Sequence, residues 1–69
     1  MSGLVEAARF NLAFQAELFR IYLEQNGVDA IVFDSHNAGY SEGAITGVRV
    51  MVLEEDLAEA TRLFGEYEA

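Results

Sequence analysis

Three segments of the chain carry the alternation of apolar residues that is typical of β-strands. The predicted strands are Leu4–Phe10, Val28–Asp34 and Ala44–Leu53. The first alternates weakly, and its pattern places Leu4, Glu6 and Ala8 on one side. Both sides of the second are apolar, which indicates a central strand or one that is covered on both faces. In the third, Gly47 is a candidate position for a β-bulge.

Apolar residues recur at helical spacing in two further segments. The first predicted helix runs from Leu12 to Asn26, with Asn11 as its N-cap and Gly27 in a left-handed conformation after its last turn. The second begins at the acidic run Glu54–Asp56, which complements the positive end of a helix dipole. Its apolar side consists of Leu57, Ala60, Leu63, Phe64 and Tyr67, with Glu59, Arg62 and Glu66 opposite.

The resulting element order, β-α-β-β-α, predicts a single α+β domain. Two helices are expected on one face of a three-stranded sheet. The right-handed solution places the third strand between the first two. This arrangement is a ferredoxin-like plait that lacks its final strand, so the first strand is expected to be an open edge. The segment Ser35–Gly43, rich in turn residues, is predicted to be the loop between the second and third strands.

The first predicted helix has more apolar surface than one sheet face can cover. One stripe consists of Leu12, Ala16, Phe19 and Leu23, and a second, opposite stripe of Phe14, Leu18 and Ile21. We expect one of two arrangements: the loop or the C-terminal helix covers this second stripe, or the stripe contacts another protein chain. One side of the third strand, carrying either Arg49, Met51 and Leu53 or the three intervening valines, also has no helix left to cover it. The predicted interface residues are therefore Phe14, Leu18, Ile21 and Met51.

Composition narrows the classes of protein that fit. The chain has 69 residues, 52% of them hydrophobic, and no Cys, which leaves a partner subunit as the common aid to stability. Four Arg, no Lys and a formal net charge of −8 argue against nucleic acid and anionic membranes as partners. No apolar run approaches the roughly 20 residues that span a bilayer. Without a recognisable signal peptide, the expected location is the cytoplasm.

Candidate chemistry is confined to the predicted loop. His36 lies near Asp34 and Glu42, three residues that could hold a metal ion, but a solvated turn is the simpler explanation of them. Ser35 and Ser41 allow a Ser-His-acid arrangement, but a flexible loop supplies neither a rigid base nor an oxyanion hole. We therefore predict no catalytic, cofactor-binding or metal site.

The order and spacing of these elements resemble a small bacterial domain family of unknown function, described as a putative signal-transducing protein. The matching positions are Ala16, Leu23, Glu24, Gly27, Val28, Ala30, Val32, Asp34, Gly47, Val48, Arg49, Val50, Val52, Glu54, Glu55, Asp56 and Ala60. The chain departs from the family at Asp29 and Leu53, where members often have Pro. The resemblance implies a fold similar to that of the PII nitrogen-regulatory trimer and a role in signalling, and it carries over no ligand-binding residue.

Three functions are compatible with this sequence. The first is a non-enzymatic interaction or regulatory module that forms a homodimer or small homo-oligomer and contacts other proteins. The second is a small-molecule or metal sensor that uses residues 35–43. The third is an enzyme subunit that needs a second chain. The apolar surface of the first helix and of the sheet favours the first.

Overall fold

A computed structural model of the chain describes residues 3–34 and 47–68. The strands are β1 (Leu4–Phe10), β2 (Ala30–Asp34) and β3 (Val48–Leu53); the helices are α1 (Ala13–Gln25) and α2 (Leu57–Glu68), the latter preceded by a 3₁₀ turn over Glu54–Asp56. The three strands form an antiparallel sheet in the order β1-β3-β2. The predicted α+β, ferredoxin-like arrangement is confirmed.

A bulge in β1 changes which of its side chains face the helices. β1 pairs with β3 from Leu4, opposite Leu53, onwards, but the register shifts between Glu6 and Ala8. The inserted residue moves Ala8 to the opposite side of the sheet from Glu6, where it is buried. The predicted alternation is therefore wrong at Ala8, because a period of two does not survive an inserted residue. Gly47 directly precedes β3, and residues 44–46 lie outside the described residues, so the bulge expected at Gly47 stays a prediction.

β2 is an edge strand, and the prediction of a central or doubly covered strand is wrong. β3 occupies the centre of the sheet, and both helices lie on one face, α1 over β2 and β3 and α2 against β1. The apolar residues on the other side of β2, Ile31 and Phe33, are consequently 51% and 50% exposed. Apolar residues on both sides of a strand thus do not imply that both sides are covered by the helices and strands of the described residues.

The hydrophobic core lies between the two helices and one side of the sheet. Its buried residues are Ala8, Ala16, Phe19, Leu23, Val28, Ala30, Val48, Val50, Val52, Ala60 and Leu63. The ring of Phe19 is at the centre, with centroids 5.1 Å from Phe64, 5.2 Å from Tyr67 and 5.9 Å from Phe10. Among the described residues no polar or charged residue belongs to this core, so apolar packing rather than a polar network stabilises it.

The start of α1 differs from the prediction. Leu12, in an extended conformation, is the N-cap residue, and no side chain caps the helix. The Asn11 cap is wrong because β1 continues to Phe10, so that Asn11 and Leu12 together form the corner. Since Leu12 lies outside the helix, it is 51% exposed and does not join the buried stripe.

The end of α1 follows the prediction closely. Gly27 has a φ of 88°, as expected for a left-handed residue after a helix. The Val28 amide donates to the Leu23 carbonyl and the Gly27 amide to the Glu24 carbonyl, the two bonds of a Schellman motif. The side-chain amide of Asn26 also donates to the Tyr22 carbonyl, at 2.8 Å. These bonds stop the helix and direct the chain into β2.

Candidate interaction surfaces

The α1 outer surface, formed by Phe14, Leu18 and Ile21, faces away from the sheet. These side chains are 62%, 50% and 39% exposed, whereas Ala16, Phe19 and Leu23 on the opposite side are fully buried. α2 contacts α1 on another side, where the rings of Tyr22 and Tyr67 lie 5.1 Å apart. Of the two coverings that the sequence allowed within one chain, α2 does not cover this surface, and the loop lies outside the described residues.

The charged residues beside the α1 outer surface are paired with one another. Arg20 forms ion pairs with Glu17, Nη2 to Oε2 at 2.6 Å, and with Glu24, Nη1 to Oε2 at 2.8 Å. The hydrogen bond from Arg20 lowers the pKa of Glu17 below its usual value. Because this cation already has two carboxylate partners on its own helix, it gives the surface little preference for a charged partner.

The exposed side of α2 shows the same arrangement. Arg62 pairs with Glu59 and with Glu66, the latter at 2.8 Å between Nη1 and Oε2. The hydrogen bonds from Arg62 lower the pKa of Glu59. The run Glu54–Asp56 forms the 3₁₀ turn directly before the helix, where its negative charges complement the positive end of the helix dipole. The charged side chains of α2 therefore pair within their own helix or face solvent.

The open sheet face is the side of the sheet that neither helix covers. The strand register assigns to it Leu4, Glu6, Arg9, Ile31, Phe33, Arg49, Met51 and Leu53. Leu4, Ile31 and Phe33 are each about half exposed, and Met51 in the central strand is half-buried. Apolar side chains thus dominate the face, and it lies on the opposite side of the molecule from the α1 outer surface.

Arg49 lies in the central strand of this apolar face. Its guanidinium carbon is 5.1 Å from the centre of the Phe33 ring, a cation–π contact. Its Nε is buried and has no hydrogen-bond partner. Arg9 lies directly opposite Arg49 on β1 and forms an ion pair with Glu6, Nη2 to Oε1 at 3.0 Å. Among the described residues, two positive charges and one negative charge therefore lie on the open sheet face.

Both arginines lower the pKa of the Glu6 carboxylate. The hydrogen bond from Arg9 is the main cause of its lowered pKa, and the charge of Arg49 adds a smaller effect in the same direction. Sequence reasoning named Arg49 and Met51 as candidates for the uncovered side of β3, but it missed Phe33 and Ile31 because it treated β2 as covered. Their alternation within β2 was the signal, once β2 is recognised as an edge strand.

The candidate chemistry of the loop is not tested by this structure. His36, Glu42, Ser35 and Ser41 lie outside the described residues, as does the side chain of Asp34. Within residues 3–34 and 47–68, no three His, Cys, Asp or Glu side chains come together in a group that could bind a metal ion. In the same residues, neither helix has the length and apolar character needed to cross a membrane.

Comparison with known proteins identifies a family but no individual relative. No curated protein and no solved structure matches the chain, so the likeness to the PII fold stays a prediction. The family model described as "Putative prokaryotic signal transducing protein" matches residues 4–68, which include every strand and helix described above. The chain therefore belongs to the family that carries this description.

Proposed function

We propose that this domain is a non-enzymatic interaction module that self-associates, most simply as a homodimer, and that takes part in signalling through contacts with proteins. The family description names signal transduction and no catalytic activity. The proposal rests on one observation: the described residues leave two apolar surfaces bare, on opposite sides of the molecule. Apolar patches of several hundred Å² are uncommon on soluble monomers and mark interaction sites.

The size of the domain supports the same proposal. A chain of 69 residues has a small core, and here that core is built without disulfides. Burying a bare surface against a second copy adds apolar contacts that the fold itself does not supply. A symmetric dimer is the commonest closed assembly and buries the same surface on both copies.

The α1 outer surface and the open sheet face are the two alternatives for the contact. Light scattering coupled to size exclusion, over a range of loading concentrations, tests self-association, with a mass that rises towards twice the chain mass as the expected result. A single-chain mass at every concentration contradicts the proposal. Phe14→Glu combined with Ile21→Glu tests the α1 outer surface, and circular dichroism checks that the variant remains folded.

A further inference from the structure

We infer that the open sheet face binds a second copy of this chain, and that Arg49 of each copy forms an ion pair with Glu6 of the other. This inference rests on the proposed self-association and names its contact surface. The two residues lie on the same face, on adjacent strands, with Glu6 opposite Met51 and Arg49 two residues before Met51 in β3. Their opposite charges make the face complementary to itself.

Arg49 has an unmet need for a hydrogen-bond acceptor. Its Nε is buried beside Phe33 without a partner, and an unsatisfied buried donor destabilises a structure. The carboxylate of Glu6 already accepts from Arg9, but a carboxylate has room for about four hydrogen bonds. The buried Nε is closed to a second copy, but Arg49 as a whole is only half-buried and has no ion-pair partner among the described residues. Glu6 of a second copy can therefore accept from the terminal Nη atoms of Arg49 without breaking its own pair.

The symmetry of such a contact also fits the apolar residues. A two-fold axis between the sheets, perpendicular to the Glu6–Arg49 diagonal, places each Glu6 over the other copy's Arg49. With strands about 4.8 Å apart and a rise of roughly 3.3 Å per residue, the same rotation brings Met51 close to Met51 of the second copy. It also places Phe33 near Leu4 of that copy, and Arg9 near Arg9 of that copy. Each Arg9 is paired with Glu6 of its own copy, which offsets part of the repulsion between the two. Strands of the two sheets then cross at roughly 70°, close to the orthogonal class of sheet packing.

The contact is small, which sets its strength. Three strands of about six residues form a patch of roughly 14 by 20 Å, on the order of 300 Å² of flat surface on each copy. Interfaces that bury less than about 1,200 Å² in total are typical of weak or transient complexes. Association in the micromolar range is therefore expected.

Competing surfaces lack this complementarity. On the α1 outer surface no charged residue lies among Phe14, Leu18 and Ile21, and the neighbouring Arg20 is paired within its helix. Edge-to-edge pairing through β1 is opposed by the bulge after Glu6, because bulges twist an edge away from a flat partner. The open sheet face alone combines bare apolar area with an unpaired buried donor among the described residues.

Charge reversal tests the ion pair by sedimentation equilibrium on the full chain. Arg49→Glu places like charges against each other across the interface and should weaken association at least about tenfold. The double variant E6R/R49E restores opposite charges and should recover association to within about threefold of the unmodified protein. In that variant the new carboxylate also lies opposite Arg9, which preserves a charge pair within each copy.

Matched controls separate the possible outcomes. Arg62→Glu changes the net charge equally on the exposed side of α2 and should leave association unchanged, as should Phe14→Glu with Ile21→Glu. If circular dichroism shows that Arg49→Glu is unfolded, Arg49→Met replaces it and should still weaken association. Loss of association in the α1 variant, with Arg49→Glu unaffected, overturns the inference and leaves self-association intact. A monomer at every concentration overturns both.

Discussion

Phe19 is the residue whose replacement tests the packing of the core most sharply. It is fully buried, and its ring lies within 6.4 Å of four other aromatic rings, those of Phe10, Tyr22, Phe64 and Tyr67. Truncating a buried Phe to Ala costs about 3–5 kcal/mol. A domain of 69 residues has a free energy of unfolding of roughly 3–10 kcal/mol. Phe19→Ala is therefore expected to leave much of the chain unfolded.

Phe19→Leu makes the effect measurable, since it keeps an apolar side chain and loses the aromatic contacts. We expect a loss of about 1–2 kcal/mol in the free energy of unfolding. Phe14→Leu is the matched control on the same helix, because Phe14 is 62% exposed and its replacement should change stability by less than about 0.5 kcal/mol in the monomer. Urea denaturation at low protein concentration, followed by circular dichroism, measures both. Equal losses of stability in the two variants would refute the assignment of Phe19 to the core and of Phe14 to the exposed side of the helix.

Three further predictions concern backbone conformation and charge. Gly27→Ala should destabilise by roughly 1 kcal/mol, because φ is 88° there; Gly47→Ala should cost more, because φ is 103° and the added Cβ would lie 3.0 Å from the Phe10 carbonyl oxygen. Thermal unfolding measures the stability of both variants, and equal losses of stability would contradict this order. Gly65→Ala, within α2 and with nothing within 4 Å of the added Cβ, should stabilise by about 0.5–1 kcal/mol, and an unchanged or lower melting temperature counts against it. Three exposed carboxylates have a pKa below the usual 4.5, because each accepts a hydrogen bond from an arginine. Their contribution to the free energy of unfolding is complete above that pH and is lost as the pH falls through the lowered pKa values. Urea titrations at several pH values should show this loss, and high salt should make it smaller because it screens the ion pairs. The three carboxylates are those of Glu6, Glu17 and Glu59.

Most of the fold followed from hydrophobic periodicity and from one glycine. The bounds of β1, the strand order and the φ of Gly27 all agree with the prediction, because each depends on local pattern or on simple rules of handedness. Period and polarity do not reveal an inserted residue, and this is why the side of Ala8 was predicted wrongly. The cap at Asn11 failed for a related reason: the exact end of a strand depends on tertiary pairing, which shifts a corner by one residue.

The candidate surfaces were less predictable than the fold. Helical spacing alone separates Phe14, Leu18 and Ile21 from the core stripe, and the structure leaves these three side chains exposed. The open sheet face needed the strand register, because only the pairing of β2 with β3 places Phe33 beside Arg49. A contact between residues that are 16 positions apart in sequence is invisible to a pattern of period two.

Sedimentation velocity of the unmodified protein, from about 1 to about 300 micromolar, tests the central claim of self-association most directly. The account predicts a sedimentation coefficient that rises with concentration from that of a single chain to that of a dimer. Circular dichroism at the lowest concentration shows whether the dissociated chain keeps its fold. A constant single-chain coefficient across the whole range, with a fully folded spectrum, would contradict the account.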